Sequence, residues 1–117
     1  MITVEKTIEV NRTTIRLLPD GYMIDRDLWN KDIANTLAER ENIQLTQEHW
    51  EVINYLRHYY HEFLISPNIK VLVKHMKTIL GEDKVDKKHL YTIFPNGPAY
   101  QGCKIAGLPK PKACVDG

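Results

Sequence analysis

Apolar and polar residues alternate from Ile2 to Glu9, with Ile2, Val4 and Ile8 separated by Thr and Glu. A period of two puts successive side chains on opposite faces, which predicts a strand. Asn11-Arg12 offers a turn into a second strand, Thr13 to Leu18, and Pro19-Asp20-Gly21 closes it. After Tyr22 the period becomes helical. Asp25 or Asp27 is placed to cap a helix whose apolar positions are Leu28, Trp29, Ile33 and Leu37, and Glu41-Asn42 ends it. Thr46 caps a second helix that carries Trp50, Ile53, Leu56, Tyr60 and Phe63 on one broad face. Ser66-Pro67 reads as an N-cap followed by a first-turn proline. The helix after it holds Ile69, Leu72, Val73, Met76 and Leu80, and Gly81 stops it. A short helix is expected over Lys87 to Phe94, and Pro95-Asn96-Gly97-Pro98 interrupts the chain. Pro98 opens a last short helix from Ala99 to about Ala106.

The fold class this predicts is mainly α (α+β): a small orthogonal helical bundle with an N-terminal β-hairpin and a mobile C-terminal arm. One domain is expected over residues 1–106, with the arm over 107–117. Helices this short are marginal in water by themselves, so packing of their apolar faces must hold them.

The length of 117 residues suits one domain. Hydrophobic residues at 43% and charged residues at 26% are ordinary for a globular chain. The N-terminal stretch carries Glu5, Lys6 and Glu9 and lacks the apolar run of a signal peptide. No stretch approaches the roughly 18–20 apolar residues of a membrane span. The expectation is a cytoplasmic protein. The net charge of +1 is unevenly spread: residues 1–66 hold 7 Lys/Arg against 11 Asp/Glu, and residues 67–117 hold 9 Lys against 4 Asp/Glu. The basic half suits an anionic partner or, equally, a solvated lysine face.

Both cysteines of the chain, Cys103 and Cys114, lie in its last fifteen residues. Gly107 can take a positive φ and is a candidate hinge. Pro109 and Pro111 push Leu108 and Lys110 toward extended geometry, so residues 108–112 read as a stiff, polyproline-like arm. At about 3.1 Å per residue, Cys114 would sit roughly 20 Å from Gly107. Lys110 and Lys112 near the tip favour a thiolate, the nucleophilic form. If the arm folds back, the ten residues between the cysteines let them meet in an exposed, reversible disulfide. The residues alone leave two readings open. One is redox or sulfur-handling chemistry. The other makes the cysteines incidental, with Cys103 a small buried hydrophobe. The bland reading fits Cys103 better than Cys114.

The run LYTIFPNGPAYQGCKIAGLPKPKACV (90–115) resembles the C-terminal signature of the DsrC/TusE family of sulfur-carrier proteins. HWEVINYLRHYYHEF (49–63) and SPNIKVLVKHM (66–76) are similar to its central helices. The resemblance implies a mainly helical fold with a C-terminal arm whose terminal cysteine carries sulfur as a persulfide, the place Cys114 occupies. It implies a division within the family. Carriers for tRNA thiolation keep only the terminal cysteine, whereas members working with the siroheme sulfite reductase have a second one upstream, here Cys103. It therefore points to the two-cysteine type. In that type the arm, with Lys104, Gly107, Pro109, Lys110, Pro111 and Lys112, enters the alpha/beta subunits of dissimilatory sulfite reductase. A trisulfide then bridges Cys114 and Cys103, and a membrane-linked electron-transfer complex reduces it. Sulfur oxidisers run the flow in reverse. Siroheme and iron–sulfur clusters would belong to the reductase and no cofactor to this chain, which would be a protein co-substrate rather than an enzyme. Sulfurtransferases are further candidate partners. In the family the carrier cysteine is usually next to last, whereas Val115, Asp116 and Gly117 follow it here.

Two other readings are weaker. The helices over 47–64 and 67–80 resemble a helix-turn-helix in outline, with Lys70, Lys74 and Lys77 along one side. The second of them has no Arg, and only Asn68 near its start could read a base, so DNA is an unfavoured partner. His58 and His61 stand at i, i+3, but neither HExxH nor HxxEH is present, and two cysteines ten residues apart lack the close pairing of zinc ligands. No metal site is expected. Trp29 and Trp50 are read as packing residues, and Tyr100 as a shield for Cys103 or an anchor for its helix.

Overall fold

The computed structural model describes residues 6–81 and 85–111. Strands β1 (Lys6–Val10) and β2 (Thr13–Leu17) form an antiparallel pair in which Ile8 faces Ile15 and Val10 faces Thr13. Asn11 and Arg12 both take positive φ, 50° and 66°. That is the left-handed two-residue turn whose twist matches the twist of the strands it joins. Ile8, Val10, Ile15 and Leu17 are buried on one face of the hairpin. The chain then doubles back through Pro19–Gly21, and Leu17 pairs with Met23.

Five α-helices follow a 3-10 turn at Arg26–Leu28. They are α1 (Lys31–Arg40), α2 (Gln47–Phe63), α3 (Ile69–Leu80), α4 (Lys87–Ile93) and α5 (Pro98–Ile105). The mainly helical bundle with an N-terminal hairpin is thus the observed architecture. The start of α1 differs from expectation. Its N-cap is Asn30, whose Oδ1 accepts from the Ile33 N–H at 2.9 Å. Asp25 instead accepts from the backbone N–H and guanidinium of Arg16, tying the hairpin to the turn before α1. The start of α3 is shifted in the same way. Asn68, not Ser66, is the cap, accepting from the Val71 N–H at 2.9 Å. Its side-chain oxygen is therefore occupied in holding the helix rather than presented for reading a base.

Thr46 opens α2 as expected, with its backbone N–H donating to Nδ1 of His49 at 3.0 Å. That leaves the proton on Nε2, which donates to the carbonyl of Ile93 at 2.8 Å and fastens α2 to α4. Phe63, the last residue of α2, is 60% exposed, with its ring against that of Tyr59. Ile53 and Leu56 are buried as expected, and Val52 and His49 join them.

The core closes around α5, which packs against α1, α2 and α4. Helix α5 is only eight residues long, yet Pro98, Ala99, Gln101, Gly102, Cys103 and Ile105 are buried on it. Gly102 permits a close approach there: a Cβ would lie 2.7 Å from Leu56 Cδ1, so the leucine would have to shift. Phe94, Leu90, Leu72 and Met76 complete the centre, each fully buried. Burial of side chains of this size stabilises by about 1.5–3 kcal/mol apiece, and this packing is what holds such short helices.

Candidate functional site

Cys103 lies on the buried face of α5 with no solvent exposure. Its Sγ shares a 3.1 Å hydrogen bond with the hydroxyl of Ser66, in the loop between α2 and α3. Burial pushes the Cys103 thiol up to about 11, and the Ser66 bond offsets only part of that. In this conformation the thiol is protonated at neutral pH and closed to a partner. Cys103 is buried because α5 is the central helix and its inward face is solvent-free, so an exposed disulfide at this position would need that face to open. Cys103 behaves as the small buried hydrophobe of the bland reading, with a hydrogen bond added.

Tyr22 is a neighbour that sequence reasoning missed. Its hydroxyl donates to the carbonyl of Tyr100 at 2.7 Å. Burial first, and then the nearby Cys103, raise the phenol well above its ordinary value. Tyr100 itself serves α5 through that carbonyl. Lys104 turns away from the thiol, with Nζ 3.3 Å from Glu41 Oε1 and 5.4 Å from the centre of the Tyr22 ring.

The root of the arm is built from a helix C-terminus. The Leu108 N–H donates to the Cys103 carbonyl at 3.0 Å, and the Gly107 N–H to the Lys104 carbonyl at 3.3 Å. This is the paired closure that a left-handed residue after a helix permits, and Gly107 has φ +71°. Gly107 is also pressed against an indole: a Cβ would lie 2.4 Å from Trp29 Cδ1. It is therefore packed, whereas a hinge was expected. Trp29 caps the 3-10 turn rather than lining a helix, and its Nε1 donates to the Ile105 carbonyl at 2.9 Å. Leu108 and Pro111 are buried and Pro109 is half-buried. Lys110 is exposed, with Nζ 3.6 Å from Asp20 Oδ2. Asp20, Tyr22, Tyr100, Lys104, Lys110 and Pro111 surround a shallow cleft beside this segment. The first five residues of the expected arm thus lie on the body. The carrier candidate Cys114 and its neighbour Lys112 lie outside the described residues.

Of the rival sites, Lys70 and Lys74 are exposed on α3, and His58 and His61 are exposed on α2. No helix among the described residues is long and apolar enough to cross a membrane.

A small, mainly helical body holds a buried thiol on its central helix, and the chain runs from that helix along the body as far as Pro111. The family model described as "DsrC like protein" matches residues 9–115. The chain belongs to that family. A sulfurtransferase TusE from Pectobacterium atrosepticum is 46% identical over 108 residues, which span 92% of this chain and 99% of that one. The crystal structure of the oxidised gamma subunit of dissimilatory sulfite reductase, DsrC, from Archaeoglobus fulgidus superposes with a TM-score of 0.86 at 39% identity. It covers 94% of this chain and all of that one. The NMR structure of Allochromatium vinosum DsrC gives 0.82 at 44% identity, over 93% and 97% of the two chains.

Proposed function

We propose that this chain is a sulfur carrier in which Cys114 is the working thiol and Cys103 is held in reserve. The Cys114 thiolate attacks the outer sulfur of a donor persulfide. The new S–S bond forms on Cys114, the donor's S–S bond breaks, and the donor leaves as a thiolate with no net oxidation. A second thiolate on the acceptor protein then takes the sulfur by the same exchange. The observation that carries a one-thiol relay is the state of Cys103: buried, protonated and hydrogen-bonded to Ser66. Relatives named sulfurtransferase TusE support the same reading, a persulfide relay of the tRNA-thiolation kind. The donor and acceptor are sulfurtransferase-type proteins, and the chain itself is a co-substrate with no turnover of its own.

A second reading is favoured by one specific feature, the presence of Cys103 together with Cys114 in the sequence. The similar structure from Archaeoglobus fulgidus is a gamma subunit of dissimilatory sulfite reductase. In that reading the arm enters the reductase, whose siroheme and iron–sulfur clusters handle the electrons, and a trisulfide joins the two cysteines. A membrane-linked donor complex reduces it. This route requires Cys103 to be uncovered, which means displacing the Ser66 loop or shifting α5.

Intact mass separates the readings. The reduced protein is incubated with inorganic polysulfide as the sulfur donor, alongside Cys114→Ala and Cys103→Ala. The relay predicts one added sulfur atom on wild type and on Cys103→Ala, and none on Cys114→Ala. Loss of the gain in both variants, with sulfite and the reductase as the source, would establish the two-thiol route instead. No gain in any form removes the carrier reading.

A further inference from the structure

Two side chains from separate elements converge on the root of the arm. Trp29 Nε1 donates to the carbonyl of Ile105 at 2.9 Å, and Arg57 Nη1 donates to the carbonyl of Ala106 at 2.7 Å. The Arg57 guanidinium lies over the Trp29 ring, 3.8 Å from its centroid. These two carbonyls belong to the last turn of α5, where a helix leaves acceptors without intrahelical donors. The residue that follows them is Gly107, whose backbone is pressed to the indole. Arg57 is half-buried on α2, and no carboxylate pairs with it among the described residues. A desolvated cation normally finds an acid. This one is satisfied by a carbonyl and a π face at a single point of the chain.

We infer that Trp29 and Arg57 are positioning residues that clamp the end of α5 and fix the direction in which the Cys114 arm leaves the body. The inference deepens the carrier reading and rests on it for its purpose. A free pivot at Gly107 would let Cys114 sweep a radius of about 20 Å. With the chain held through Leu108 and seated at Pro111, Cys114 is three residues further on and reaches at most about 10 Å from there. The clamp fixes the point and direction from which that path begins, while the seat at Pro111 shortens what remains, and the smaller volume searched raises the effective concentration of the thiol at a docked partner. The flat guanidinium suits this role because it can donate in its plane while its face covers an indole, which an ammonium cannot do.

The test follows amide hydrogen exchange by NMR in the full chain, comparing wild type with Trp29→Phe, Arg57→Met and Arg57→Lys. Trp29→Phe keeps an aromatic ring but removes the donor with part of the indole's bulk, and Arg57→Met keeps the apolar stem. The expected result is exchange about five- to ten-fold faster at the Gly107 and Leu108 amides in Trp29→Phe and Arg57→Met. The Ile8 and Ile15 amides of the hairpin keep their wild-type rates, and Arg57→Lys restores part of the protection. In Arg57→Met the Trp29 indole N–H signal shifts while that of Trp50 does not. The proposal is overturned if Gly107 and Leu108 keep wild-type rates in both variants, or if they speed up only in step with Ile8 and Ile15. Polysulfide loading of the same samples judges the carrier reading separately. A chain that takes no sulfur but loses root protection in the variants keeps the clamp and drops the carrier.

Discussion

Ser66 and Cys103 stand 37 positions apart in sequence and share a 3.1 Å hydrogen bond in the fold. The bond lowers the thiol's pKa slightly against a larger upward push from burial. In a Cys114→Ala background, alkylation of Cys103 by iodoacetamide at pH 8 should be far slower than that of a free cysteine. Its rate should climb only as pH approaches about 11. Ser66→Ala removes the one group that favours the thiolate, so the climb moves to still higher pH. A half-rise near the free-thiol value of about 8.5 would contradict the burial argument.

The same thiol couples stability to alkaline pH. Its folded pKa of about 11 lies above the ordinary thiol value of 9.0, so the native state holds the proton more tightly than the unfolded one. The stabilisation is fully present below about pH 9 and is lost as pH rises through about 11. The loss is on the order of 2–3 kcal/mol for a shift of this size. Urea unfolding of wild type and Cys103→Ala across that range should show a steeper decline for wild type. Parallel declines would mean that the thiol is more accessible than its burial indicates.

Gly107 faces two separate constraints, a positive φ and the Trp29 indole. A left-handed backbone costs an alanine about 1–2 kcal/mol, and overpacking against a fixed ring adds about 1–3 kcal/mol. Gly107→Ala should therefore destabilise the chain by about 2–4 kcal/mol in equilibrium denaturation. A cost below about 0.5 kcal/mol would show that the root is loosely held.

Gly102 of α5 lies against Leu56 of α2, with 2.7 Å between a notional Cβ and Leu56 Cδ1. Gly102→Ala should cost about 1–3 kcal/mol by overpacking, and Leu56→Ala about 2–5 kcal/mol by leaving a cavity. The new methyl occupies part of that cavity, so the double variant should be more stable than the sum of the singles by at least about 0.5 kcal/mol. Additive costs would mean that the two helices separate rather than share the space.

The Lys110–Asp20 pair holds the described end of the arm at 3.6 Å, with both side chains largely exposed. Exposed pairs of this kind contribute about 0–1 kcal/mol and are screened by salt. Asp20→Asn should leave the melting temperature nearly unchanged while raising the exchange of the Lys110 amide, an effect that fades at high ionic strength. A large drop in melting temperature would assign the pair a structural role beyond that of a weak latch.

The hairpin, the five helices and their order were legible because each depends on local signals: alternation in 6–17, helical spacing in 31–80, and the breaks at Gly81 and Pro95–Pro98. The resemblance of residues 90–115 to sulfur carriers was equally legible, since it rests on a contiguous run of residues. Caps were less so. Asn30 and Asn68 took positions assigned to Asp25, Asp27 and Ser66, because Arg16 and Cys103 claimed Asp25 and Ser66 from a distance. The state of Cys103 was decided only by tertiary structure, since desolvation depends on the three helices that enclose α5. The clamp of Trp29 and Arg57 on the carbonyls of Ile105 and Ala106 is of the same kind. A pattern along the chain records which face of an element is apolar. It does not record which distant donor will meet a particular carbonyl, because that follows from how the elements cross.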